Sequence, residues 1–301
     1  MPNFTLGFQA MGSHIHVWLN TPTIADAQIL NDIPVWFEQW EKTFSRFRPD
    51  SELAMLNASA GQWMRVSPAM LAIVAASVQM SAETRGLFNP LVLPALETAG
   101  YDHSFTEVDF KPGRSRHDPA AMIADWREIS IDHDRQAIRL PDRAQIDLGG
   151  IAKGWAAQQA ADRLSTLGAC LIDAGGDIVA KGAPDDSGGW LVSIHKPDGP
   201  GILYTLLLTD SAVATSGTDY RHWIRDGKVL HHLIDPRTGL PSESGVRSAT
   251  VIAPEAVQAE AWAKAALISG TLPLLPAVLI HQNGTIDRNS EVESLCITNV
   301  Q

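Results

Sequence analysis

From Ala169 onward the chain is dominated by strand-patterned segments, and that run limits the possible folds more than any other feature. ACLID, DIVAKG, WLVSIHKP, ILYTLLLTD, AVATSG, HWIRDGKVLHHLID and RSATVIAP follow one another, interrupted by one helical stretch, EAVQAEAWAKAALISG. Asp226-Gly227 marks a tight hairpin turn inside the run, and a last hairpin forms around Asn283-Gly284. Strands in succession with a few packed helices predict an α+β fold with mixed or antiparallel sheets, not a regular βαβ repeat.

The first half supplies the helices. HIHVWL alternates as a strand does, and IADAQILNDIPVWFEQWEKTF then runs at helical spacing, with Ile29, Ile33, Trp36, Phe37 and Trp40 on one stripe. Residues Ser51 to Asn57 read as a short helix. Ser67-Pro68 is an N-cap followed by proline at the first helical position, opening a helix that Gly86 closes. The polar stretch from Ser104 to Arg127 reads as a long surface excursion, and ISIDHDRQAIRL after it as a hairpin. After Gly154 a helix runs to Leu167, with Gly168 as its stop.

Composition bounds the function. Apolar residues make up 45% and charged residues 19% of 301 residues, values of a folded globular chain that holds one large domain or two joined lobes. A net charge of −11 argues against a broad nucleic-acid surface, because phosphate neutralisation needs clustered Lys and Arg. A local cationic pocket remains open. Cys170 and Cys296 sit in apolar runs and read as reduced thiols. The N-terminus lacks a signal-peptide pattern, and LPLLPAVLI is too short to span a bilayer. The expected location is the cytoplasm for the chain as written, or the periplasm if a leader has been trimmed.

Four short motifs carry candidate chemistry. In IDLGGIAKGW, Ile146 to Trp155, glycines and Lys153 stand at the apparent start of a helix, where bare backbone, helix dipole and an ammonium together suit a phosphate. The alternative is a glycine-rich turn with Lys153 in solvent. DAGGD, Asp173 to Asp177, reads as a structural turn between strands. ATSG places Thr215 where its hydroxyl either meets a phosphate or closes a local turn. HHLIDPRTG sets His232, a side chain suited to proton transfer, shortly before Asp235 and Arg237, which alternatively only pin the turn.

Together DLGGIAKG, AGGD, ATSG and HHLIDPRTG resemble the FAD:protein FMN transferases, the ApbE-like family, in order and spacing. QAMGS (Gln9 to Ser13), FSRFRPDSELAMLN (Phe44 to Asn57) and GLFNPLVLPAL (Gly86 to Leu96) extend the resemblance from Met11 to Gly270. It implies a T-fold-like α+β architecture, one domain over residues 1–301 whose two lobes hold FAD between them. It also implies a magnesium-dependent transfer of FMN from FAD to a Ser or Thr hydroxyl of an acceptor flavoprotein, with release of AMP. Carried over by position, Met11, Phe47, Leu87, Phe88, Asn89, Gly149, Trp155 and Ile234 match places that touch the nucleotide. Ala152 matches a carbonyl ligand of the metal, and His232 the catalytic histidine. Met11, Phe47 and Trp155 are equally readable as core side chains. Asp235 is expected to orient the turn that bears His232.

The chain departs from the family pattern at the metal helix, where A-D-A-x-A-T reads AEAWAK. Glu260 replaces an aspartate and Lys264 a threonine. Either Lys264 neutralises the pyrophosphate in place of the ion, paired with Glu260, or it turns away while Glu260 and Ala152 hold a weaker ion completed by water. Asn89 replaces a second aspartate. Two alternatives to the transferase therefore stand: an FAD pyrophosphatase that yields FMN and AMP, and a non-catalytic FAD-binding protein.

Overall fold

The computed structural model describes residues 3–102, 123–184, 187–197, 199, 201–225 and 227–297. Most of the polar stretch read as a surface excursion, and Asp226 of the expected hairpin turn, lie outside these residues. Eight strands build one sheet: β1 (Asn3–Ala10), β2 (Ser13–Asn20), β3 (Ala169–Ala174), β4 (Ile178–Lys181), β5 (Ser211–Gly217), β6 (Val246–Ala253), β7 (Ala277–His281) and β8 (Ile286–Arg288). Their spatial order follows the chain, and every neighbouring pair is antiparallel. The helices that matter below are α1 (Ile33–Phe44), α2 (Glu52–Ala58), α3 (Pro68–Glu83), α4 (Leu93–Ala99), α5 (Ala152–Leu164) and α6 (Ala256–Ser269). The architecture is α+β, as the strand run predicts.

The two-residue period of the strands separates two cores. Cys170, Ile172 and Ala174 of β3 and Ala212 and Ala214 of β5 face the helix side, while Leu171 and Val213 face the other. There they meet Trp190, Val192, Leu206 and Leu208 of a hairpin formed by Trp190–His195 and Ile202–Leu208. α6 is buried on almost every side, at Ala256, Val257, Ala259, Ala261, Ala263, Ala265 and Ala266 among others. Such small residues let α6 approach α5 and the sheet closely, which places its one buried acid, Glu260, deep in the structure.

Three local details differ from the periodicity-based expectation. The N-terminal helix is not continuous: a turn at Ile24–Ala27 passes through a 3₁₀ segment, Gln28–Asp32, before α1 begins with Pro34 in its first turn. Proline lacks the N–H that a continuing helix would use, so it fits only at a start. Ile33, Phe37 and Trp40 of the expected stripe are buried with Phe44, whereas Ile29 and Trp36 are half-buried. α5 ends at Leu164, before the expected Leu167. Gly168 does not adopt the left-handed stop conformation and is glycine because the backbone of Asn20 on β2 passes beside it.

The β1–β2 turn sets one edge of the site. Ala10 pairs with Ser13, leaving Met11 and Gly12 as a two-residue loop with φ of 53° and 66°. The N–H of Met11 donates to the Glu41 carboxylate of α1 at 2.7 Å, tying the turn to that helix. No helix among the described residues is long and apolar enough to cross a membrane.

A Cβ at position 168 would stand 2.1 Å from the Asn20 carbonyl oxygen. Gly168→Ala is therefore expected to destabilise the fold by about 1–3 kcal/mol, read as a lower denaturant midpoint with an unchanged slope.

Candidate functional site

A cavity of about 430 Å³ lies between the Met11-Gly12 turn, the end of α1, the segment 87–89, the start of α5, the segment 232–236 and α6. Of the residues expected from sequence, Met11, Phe47, Leu87, Phe88 and Asn89 line one part of it. Gly149, Ala152, Lys153, His232, Ile234 and Lys264 line the rest. Segments from across the chain thus converge on one hollow.

Four expected residues do not line it. Trp155 is a core side chain, packed edge-on against Trp40 and Phe44 at ring-centroid distances of 5.7 and 5.3 Å. Thr215 is exposed on β5 and shares a hydrogen bond with its cross-strand partner Thr250 at 2.9 Å. Asp235 is held by Arg237, whose backbone N–H, Nε and Nη2 all donate to it, so the carboxylate pins its own turn. Burial raises the Asp235 pKa, but those Arg237 contacts outweigh it and keep the carboxyl below its usual value. Glu260 sits behind the cavity wall, only 1% exposed.

The glycine motif has a packing explanation. The N–H of Gly149 donates to Asp147 Oδ1 at 2.9 Å and so is already used within the chain. A Cβ on Gly150 would lie 2.8 Å from Cε of Lys264, and one on Gly154 would lie 2.7 Å from Oε2 of Glu260. Bare backbone at these points makes room for the two charged side chains of α6. Glu260 in turn accepts the N–H of Gly154 at 3.3 Å, beside the first turn of α5.

Lys153 joins the cluster from α5. Its ammonium forms an ion pair with Asp177, which follows the double glycine after β3, and lies 3.7 Å from Glu260. Burial works against the charge on Lys153, but the two carboxylates outweigh it and raise its pKa above the lysine norm. Burial, reinforced by Asp177, pushes the Glu260 carboxyl up to about 8. Burial also holds Lys264 below the ordinary lysine value, against the pull of Glu260 and Asp177.

A second clamp fixes the opposite wall. Arg46, 6% exposed at its side chain, pairs with Asp147 at 2.8 Å and donates from Nη2 to the Tyr101 carbonyl at 2.7 Å. Its guanidinium lies 4.2 Å from the ring centre of Phe47 and 4.6 Å from that of Tyr101. Phe47 keeps 40% of its surface exposed, leaving aromatic area for a planar ligand. Arg48 also lines the cavity, and its Nε lies 3.6 Å from Asp50 Oδ1, an ion pair too long to be a hydrogen bond. With Arg221, the wall holds five cations, Arg46, Arg48, Lys153, Arg221 and Lys264, against two acids, Glu41 and Asp147. In a chain of net charge −11 this concentration selects an anion.

His232 is set for neutral chemistry. Its backbone N–H and its Nδ1 both approach the carbonyl oxygen of Arg221, at 3.2 and 3.3 Å. A carbonyl only accepts, so the ring proton sits on Nδ1 and Nε2 is left as the basic nitrogen. Burial, with the nearby Arg221 and Lys264 charges, lowers the His232 pKa to about 3.

Magnesium finds a poor donor set here. Among the described residues no three His, Cys, Asp or Glu side chains converge on one ion position. Glu260 is already engaged by Lys153 at 3.7 Å and by the N–H of Gly154. Two ammoniums next to a divalent ion would each repel it by several kcal/mol at an effective dielectric of about 20. The residues present do not fit that ion.

Arg46, Arg48, Tyr101, Asp147, Asp177 and Arg221 were not singled out from sequence. The two arginines flanking Phe47 in FSRFR were the available signal; the others come together only through the fold.

Comparison with known proteins places these features in one family. The ApbE family model matches residues 11–278, and the chain belongs to that family. The FAD:protein FMN transferase of Treponema pallidum is 30% identical over 277 residues, covering 85% of this chain and 75% of that protein. The protein of the same description from Vibrio cholerae is 29% identical over 268 residues, covering 86% and 79%. The crystal structure of the ApbE protein of Thermotoga maritima shares the fold, with a TM-score of 0.89 over 99% of this chain and all of that one, at 24% identity.

Two outcomes are expected from the site's electrostatics. Arg46→Met leaves the half-buried Asp147 with only the Gly149 N–H as partner and should cost about 1–3 kcal/mol in denaturant unfolding. His232 is protonated less readily in the fold than in the unfolded chain, so it contributes stability above pH 6.5 that is lost as pH falls toward about 3. His232→Gln should therefore flatten the decline of unfolding free energy over that interval.

Proposed function

We propose that this chain is an FAD:protein FMN transferase: it binds FAD in the cavity and moves FMN to a Ser or Thr hydroxyl of an acceptor flavoprotein, releasing AMP. We read residues 1–301 as one domain whose two lobes hold the nucleotide between them. The observation that carries this reading is the five-cation wall beside an exposed aromatic ring and a neutral histidine, in a chain that is otherwise acidic. A dinucleotide supplies the complementary parts: a diphosphate for the cations and planar rings for Phe47.

In the transfer, the acceptor hydroxyl oxygen bonds to the phosphorus of the FMN half. The bond from that phosphorus to the bridging oxygen breaks, and AMP leaves with the electron pair. His232 takes the hydroxyl proton on Nε2, directly or through one water. Burial, and after it the charges of Arg221 and Lys264, hold the imidazole pKa down; a bound diphosphate offsets those charges and so favours proton uptake by this nitrogen. Lys264, packed against Gly150 before α5, balances charge on the transferring group, while Asp235 acts only through the shape of its turn. Magnesium belongs to the family expectation, but Ala152 and Glu260 do not make a complete site for it, and no step above uses it.

Covalent flavin fluorescence on an acceptor domain, with AMP release, is the expected result of incubation with FAD. Free FMN and AMP without labelled acceptor would instead support the pyrophosphatase, and intact FAD under all conditions the binding protein. His232→Ala is expected to slow transfer by about 10²–10⁴-fold while FAD affinity is retained; unchanged transfer would remove His232 from the reaction.

A further inference from the structure

The lysines of α5 and α6 differ in what they face. Lys153 is spent inside the protein, on Asp177 and at 3.7 Å from Glu260. Lys264, four residues after Glu260 on α6, forms no hydrogen bond and no ion pair within 4.0 Å among the described residues. Its stem is packed against Gly150, where a Cβ would meet Cε at 2.8 Å and Nζ at 3.7 Å, and the side chain lines the cavity. The local carboxylates are thus engaged by Lys153, and a second ammonium is left at the wall without a counter-ion.

An unpaired ammonium in a half-buried position is unfavourable until a ligand supplies the anion. The same position is hostile to a divalent cation, because the nearby carboxylates Asp177 and Glu260 face Lys153 and a second ammonium repels the ion. On the reading that FAD is the ligand, we infer that Lys264 is the counter-cation of its diphosphate and that nucleotide binding at this site needs no divalent metal. Glycine at 150 is part of the device, because any larger residue would displace the lysine stem.

FAD affinity is measured by quenching of flavin fluorescence, in EDTA and in excess magnesium, for the native protein and for Lys264→Met, Lys264→Thr and Lys264→Arg. The native protein is expected to bind FAD equally in both conditions, within about twofold, and Lys264→Met to lose about ten- to a hundredfold in EDTA. Lys264→Arg keeps the charge and should retain binding in EDTA, which separates loss of the cation from loss of the fold. Lys264→Thr should bind weakly in EDTA and recover with magnesium. Native binding that collapses in EDTA, or full affinity of Lys264→Met in EDTA, overturns the inference while leaving FAD as the ligand. A native protein that binds no FAD in either condition overturns the functional reading, and this inference with it.

Discussion

The ion pair between Lys153 and Asp177, with Glu260 beside it, is the interaction on which the site depends. It joins α5, the turn after β3 and α6 at one buried point, bringing Glu260 of α6 more than a hundred residues back to Lys153. Two carboxylates buried together without Lys153 would repel each other, and the desolvation cost would fall on both. The glycines at 150 and 154 are consequences of that arrangement: they leave the space that the α6 side chains occupy. The same packing brings Lys264 to the cavity wall.

Charge is distributed with a clear asymmetry. Acidic residues dominate the chain as a whole, yet the cavity gathers arginines and lysines from the segment after α1, from α5 and α6, and from the loop that holds Arg221. Some of these cations are consumed by the protein itself, as Arg46 is by Asp147, and serve to hold walls in place. Lys264 is left facing the cavity without an ion-pair partner within 4.0 Å among the described residues. His232 sits among them as a neutral base because a cationic neighbourhood and burial both disfavour its protonation. Binding and basicity are then coupled through one electrostatic field.

Of the residues singled out by motif, Met11, Phe47, the segment 87–89, Lys153, His232 and Lys264 all line the one cavity described. Motif reading was less informative where a residue's type permits two roles. Trp155 stands beside the glycine motif, yet the helical period turns it into the aromatic core with Trp40 and Phe44. Thr215 alternates to the face of β5 where Thr250 is its partner. Asp235 was readable as turn support from the arginine two residues on, and its contacts are those of turn support.

By itself the sequence determined the α+β class, most of the strand and helix segments and the chemistry available, because alternation, turn residues and motif spacing are local properties that need no partner to be read. The fate of each charge was settled only in three dimensions. Whether a lysine is neutralised or left waiting depends on which carboxylate comes within a few ångströms, and Asp177 reaches Lys153 across 24 residues while Glu260 does so across more than a hundred. Coulomb energy in a half-buried site is set by such distances and by the water excluded around them, neither of which is encoded at any single position.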